Sequence, residues 1–321
     1  MAAQINYPHL ASMVFNTPLL CTTQLRDAVH QAILPRLLGG GVNVNLPDLA
    51  KVDALAPGVD EYDAKRVEYS TYHGVAVLPV HGILTVRRGG IDAECREISS
   101  YEKTSALLDA ALNDSSVEHV VLDMNTPGGA AVGCFDFAEK VYQARQQKPI
   151  TAIVNYNAYS AGYMIASAAS EIIVSATSGV GSIGVIASHV DMSKALDQAG
   201  LKVTTFYRGY RKNDLSPYEE VSEEAAAVLN QELDELYALF VESVARNRGL
   251  STQAVIDTQA GTYRGQQAVD IGLADKLMYP QDAVNSIAQA IADRKLEERS
   301  SRGSGKRIGA QAALMKMQAQ L

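Results

Sequence analysis

From His73 onward, short apolar runs alternate with stretches in which apolar residues recur every three or four positions. The runs at 74–84, Val117–Met124, 150–155 and Ile172–Val174 predict strands, the first being one strand or two short ones broken near Pro79. Tyr101–Asn113, Phe135–Gln147 and 161–169 predict helices; Leu107, Leu108, Ala111 and Leu112 share one side of the first, and Phe135, Ala138, Val141 and Tyr142 one side of the second. This β-α-β-α order predicts an α/β fold with a mainly parallel sheet and helices on its faces. In such sheets sites form where strands end and helices begin. Two turns fall there: Asn125-Thr126-Pro127-Gly128-Gly129, and Asn157-Ala158-Tyr159-Ser160-Ala161-Gly162-Tyr163.

Further on, Val185–Ala187 and Val203–Tyr207 predict strands and Met192–Gln198 a short helix. Ser222-Glu223-Glu224 opens a long helix to about Arg246, with an apolar stripe of Ala225, Leu229, Leu233, Leu236, Phe240 and Val244. A helix of that length commonly reaches past its own domain to another subunit. Another is expected around Asp282–Lys295. Before His73 the pattern weakens. A helix over Leu25–Leu38, with Leu25, Val29, Ile33 and Leu37 four apart, stops at Gly39-Gly40-Gly41, and a charged segment with Pro47 and Pro57 follows. From Glu297 the chain turns charged and Gly/Ser-rich, as a flexible connector does. The expected organisation is an extension over 1–72, a domain over 73–295 and a tail over 296–321.

Composition narrows the function classes. Apolar residues at 47% and charged residues at 20% describe an ordinary globular protein, and a net charge of −8 argues against a nucleic-acid binder. Cys21, Cys95 and Cys134 are too dispersed for a disulfide framework or a zinc site, which points to a reduced compartment. The opening residues lack the charged start and apolar core of a signal peptide, and no apolar run reaches the ~20 residues needed to span a bilayer.

Ser160 stands on a turn between an apolar strand and a run of small, helix-compatible residues, a setting that presents nucleophiles. Amide cleavage also needs an oxyanion hole and a base. Gly128 and Gly129 offer backbone N–H groups with no side chain in the way, and the Ala161 N–H is a second donor; alone, the same residues make an ordinary tight turn. None of His9, His30, His73, His81, His119 and His189 sits in a setting that suggests a triad. The other base is a lysine made neutral by burial or a cationic neighbour. Lys212, in the loop 208–217, is the candidate, though a single loop lysine is ordinarily just solvated. Gly179–Gly184 formally matches a dinucleotide fingerprint, but a strand-like stretch follows it where a helix should open, and no acidic residue closes the next strand.

As a set, Asn125–Gly129, Tyr159–Tyr163, Gly181–Val185 and Arg211–Pro217 resemble the signal peptide peptidase A family of Ser-Lys peptidases, over roughly residues 73–290. Pro8–Leu19 resembles the opening of the lambda-type phage capsid assembly proteases, a branch without a membrane anchor. The resemblance implies a crotonase/ClpP-like spiral of βα units, Ser160 as nucleophile and Lys212 as general base, 52 residues apart. It further implies Gly129 and Ala161 as oxyanion donors and Ser182 as the residue that orients the base. No metal or cofactor is implied. In short family members the serine and lysine of one site come from neighbouring subunits. One departure is Ala161, where relatives often carry glycine. Expected substrates are scaffold, portal or coat proteins, and the chain's own tail, inside a procapsid in the host cytoplasm; residues 296–321 would then begin a scaffold segment. Two other readings stay open: a crotonase-type acyl-CoA enzyme using Gly128-Gly129 on the same fold, and a non-catalytic capsid assembly protein.

Overall fold

The strand signals after His73 pair side by side because their runs are apolar on both faces, as a sheet sandwiched between helices requires. The computed structural model describes residues 14–37, 69–87 and 99–298. Gly39–Gly41, most of the 42–72 segment, Cys95, the motif residues Pro8–Met13 and the tail from 299 lie outside the described residues.

The elements are β1 (Leu19–Cys21), α1 (Thr23–Leu37), β2 (Ser70–Tyr72), β3 (Val75–His81), α2 (Tyr101–Asn113), β4 (His119–Thr126), β5 (Gly128–Ala130), α3 (Cys134–Ala144), β6 (Ile150–Tyr159), α4 (Ala161–Ser167), β7 (Glu171–Val174), β8 (Gly179–Gly181), α5 (Ser193–Gln198), α6 (Glu223–Arg248), α7 (Thr252–Ile256), β9 (Thr262–Arg264), α8 (Gly265–Asp270) and β10 (Lys276–Leu277). A last helix, α9, covers 280–298.

The main sheet runs β10-β7-β6-β4-β3-β2. Every pair from β3 to β10 on that path is parallel, and β2 joins antiparallel. The α/β fold with a mainly parallel sheet is therefore present. One face carries the larger core, where Leu78, Val120, Leu122 and Met124 of the sheet meet Leu108 of α2, Val141 of α3, Ile165 of α4 and Phe240 of α6. On the other face Val75, Val121, Ile153 and Ile173 pack against Ala283, Val284, Ala288 and Ile291 of α9. Helix ends follow their sequence signals. Ser100 caps α2 and Ser222 caps α6 with side-chain oxygens, and Gly249 closes α6 in the left-handed region at φ 66°.

Two expectations fail. Val203–Tyr207 forms no strand: it is exposed and finds no partner edge among the described residues. Val185–Ala187 is reduced to a single bridge, Ile186 to Leu19. In both places the residue types suit a strand, but a strand needs a neighbouring edge, and the chain supplies one only in part.

Candidate active site

A bulge positions the serine turn. Met124 of β4 faces Val154 of β6, but Thr126 faces Ala158, so β6 carries extra residues and bends. Thr151–Val154 pair with β7, whereas Asn157–Tyr159 turn away to pair with β8. The bend sets Ser160 beside Gly181 and Ser182.

Ser160 has φ 53° and ψ −114°, a conformation costly for any residue with a side chain. Its N–H donates to the Gly181 carbonyl at 2.8 Å, and its carbonyl accepts from Met164 N–H at 2.9 Å, the first turn of α4. Such a strained strand-to-helix turn holds a nucleophile clear of the backbone on either side. Ser160 is fully buried, and its Oγ makes one long contact, 3.4 Å to the Gly184 carbonyl. Every residue of α4 is buried as well. A Cβ at Gly162 would stand 2.3 Å from Thr126 Cγ2, so the helix fits only with glycine there. Ala161 is fully buried, and its carbonyl accepts from Cys134 Sγ at 3.6 Å.

The Thr126–Gly129 turn is fixed from within. Thr126 Oγ1 donates to the Gly82 carbonyl at 2.6 Å and accepts from Gly128 N–H at 3.1 Å. Gly128, at φ 105°, and Gly129 allow close backbone passage: an added Cβ would lie 2.1 Å from the Leu20 carbonyl oxygen or 2.0 Å from that of Leu84. Gly129 is also paired. Thr22 N–H donates to the Pro127 carbonyl at 3.1 Å, and Leu20 faces Gly129, so the next hydrogen-bonded rung of this antiparallel ladder joins Leu20 to Gly129.

Ser182 is half-buried with φ 56°, and its N–H donates to the Gly261 carbonyl at 2.8 Å. Lys212 lies apart, exposed on successive turns, with its N–H on the Gly209 carbonyl at 3.0 Å and the Arg211–Asp214 ion pair at 2.9 Å beside it. Among the described residues, no hydrogen bond or ion pair joins the Lys212 side chain to Ser160 or Ser182. One chain brings Ser160, Ala161 and Ser182 together and leaves Lys212 outside.

His9 lies outside the described residues, and the described histidines are committed elsewhere. His30 packs on Phe15, His73 meets Tyr72 edge-on, His119 bonds Thr151 at 2.9 Å and His189 bonds Asn16 at 2.9 Å. His81 Nε2 lies 2.9 Å from Asp123 Oδ2, and Asp123 is buried in the middle of β4 with Oδ1 unpaired among the described residues. That pair was not foreseen. Asp123 within an apolar strand was its only sequence signal, and strand alternation sets it on the α9 face, opposite the core that holds α4.

The profile of peptidase family S49 matches residues 142–293. Over 319 residues the chain is 35% identical to capsid assembly protease C of Escherichia phage lambda, covering 96% of this chain and 70% of that protein. The chain belongs to peptidase family S49. It is a serine peptidase. Head-tail preconnector protein GP5 of Enterobacteria phage P21 is 38% identical over 294 residues, 89% of this chain and 58% of GP5. Solved structures that overlay on this S49 chain include a mutant of 1510-N, a membrane-bound stomatin-specific protease (TM-score 0.39, 14% identity, 65% of this chain and 81% of that one). ClpP1 of Listeria monocytogenes is another (TM-score 0.38, 12% identity, 64% and 92%). The S49 match spans Ser160, Ala161, Ser182 and Lys212 and leaves Gly129 just before it. Among the described residues no helix is long and apolar enough to cross a membrane.

Proposed function

We propose that this chain is a Ser-Lys endopeptidase whose active sites are completed between subunits, and that it cuts proteins of an assembling phage capsid. The backbone of Ser160 carries the reading: strain at a buried strand-to-helix turn marks the residue as the nucleophile. No described histidine is bonded to it, and the resemblance to Ser-Lys peptidases implies Lys212 as the base. A lysine serves as a base only where its ammonium is desolvated. Lys212 is exposed in the single chain. Its arm also exposes Leu201 (58%), Phe206 (89%) and Tyr210 (81%), apolar surface suited to a second copy. Packing of that arm on a neighbour would bury Lys212 of the partner subunit beside Ser160 and Ser182.

In the assembled site the neutral amine takes the Ser160 proton as Oγ attacks a peptide carbonyl. The oxyanion forms against the N–H groups of Gly129 and Ala161. The ammonium protonates the departing amine, and water activated by the same lysine releases the acyl group and restores the serine. Ser182 orients the amine. Residues 73–295 form this catalytic unit. The two phage relatives support capsid work, with scaffold, portal or coat proteins as substrates in a procapsid within the host cytoplasm.

Co-expression with the capsid and scaffold proteins of the same phage tests the reading. The wild type should trim at least one of them, and Ser160→Ala and Lys212→Ala should trim none. Identical patterns for all three would leave a structural assembly role in place of a catalytic one.

A further inference from the structure

The strand β1, Leu19–Cys21, behaves as a central strand although the sheet that it forms with β5 has only two strands. On one side Leu20 and Cys21 lie antiparallel to Gly129 and Gly128. On the other, Leu19 N–H donates to the Ile186 carbonyl at 2.8 Å and Ile186 N–H returns a bond to the Leu19 carbonyl at 3.0 Å. Just before the strand, Asn16, in the left-handed region at φ 57°, donates its N–H to the Ser188 carbonyl at 2.9 Å, one residue out of that register. Asn16 is held further by its side chain, with Nδ2 on the Leu215 carbonyl at 3.0 Å and Oδ1 on His189 Nδ1. Leu19 and Leu20 thus bond to opposite edges, as neighbouring residues of an added peptide strand do. The two edges are the proposed oxyanion turn and the segment that follows Ser182. Leu20 sets its carbonyl on the Gly129 rung, and its side chain is fully buried in the larger core.

We propose that Leu19–Cys21 occupies the groove meant for an extended substrate peptide, with Leu20 in the place of the residue whose carbonyl is attacked, so that the chain blocks its own site. This rests on Ser160 and Gly129 having the roles proposed above. The fully buried Ser160 hydroxyl fits a closed groove. Substrates gain access only as this strand leaves, and the depression that Leu20 fills selects a medium-sized aliphatic side chain in them. The hydrogen bonds of Leu19 and Leu20 in the groove are backbone to backbone, so any sequence can make them; the Leu20 pocket supplies the discrimination.

The test compares the full-length wild type with Leu20→Arg, whose charge cannot stay in an apolar pocket, using β-casein as substrate. A tethered strand competes at an effective concentration of order millimolar, so its release should raise kcat/KM about tenfold or more. A synthetic peptide of residues 14–24 should inhibit Leu20→Arg and barely affect the wild type, and the same peptide with aspartate in place of Leu20 should inhibit neither. Cys21 gives a readout that needs no catalysis. Its thiol is buried and pushed up to about 11 by that burial, so alkylation is slow while the strand is seated. In Ser160→Ala protein, excess casein peptides should speed Cys21 alkylation, followed by mass spectrometry. This arm also stands if Leu20→Arg fails to fold. Unchanged alkylation, or a folded Leu20→Arg with wild-type kcat/KM and no inhibition by the peptide, would overturn the proposal. Casein cleavage that survives Ser160→Ala would instead overturn the nucleophile assignment, with Cys21 alkylation still reporting on the strand.

Discussion

Ser160, Gly162 and Thr126 constrain one another. The serine keeps its strained turn because α4 is seated against the Thr126 side chain, and α4 seats only with glycine at 162. Gly162→Ala should therefore lower stability by about 1–3 kcal/mol, the usual cost of overpacking, and lower activity more than stability alone explains. Thermal unfolding and peptide hydrolysis on the same preparation check this. His119 sets a pH limit on stability. Burial, assisted by Arg294 and opposed by Glu171, holds it down to about 4. The unfolded chain then binds a proton near pH 6.5 that the folded chain refuses, so stability is complete above that pH and falls steadily as pH drops toward 4, by a few kcal/mol at most. His119→Gln should flatten that slope in urea titrations between pH 7 and 4. The serine was legible because its signals are local: an apolar strand, small neighbours and a helix start. The base was less so, since whether a lysine is buried depends on what packs over it. His81–Asp123 was invisible for the same reason, being a contact between two separate strands.

At the scale of elements, periodicity gave Tyr101–Asn113 to the residue and placed the other long helices within a few positions, because each buries one face against the sheet. It failed where a strand depends on a distant edge. Leu19–Cys21 is too short to show a pattern, yet it is held on two sides. Val203–Tyr207 shows the pattern and has no described edge to join. The long helix α6 lies between these cases. Phe240, Val241, Val244 and Ala245 are buried, while Leu229, Leu233 and Leu236 are only half-covered, so the stripe continues past the body that it packs against. Together with the 199–212 arm this is the face that the proposed association would use. Phe206→Ser combined with Tyr210→Ser should leave the monomer's thermal midpoint within a degree or two, shift light-scattering mass toward the monomer, and cut peptide hydrolysis at least tenfold at concentrations where the wild type is assembled.

For the whole molecule, the chain belongs to peptidase family S49 and carries a buried, strained serine in one place and an exposed lysine in another. In the proposed site they meet only through a second copy. That claim separates this enzyme from a peptidase complete within one chain, and subunit mixing addresses it directly. Ser160→Ala and Lys212→Ala proteins, each inactive alone, are dissociated, combined in equal amounts and reassembled, and peptide hydrolysis is then measured. Activity should return to a fraction of wild type, because some interfaces pair an intact Ser160 with an intact Lys212. If mixed assemblies form and stay as inactive as either parent, the serine and its base belong to the same chain and the shared site is wrong.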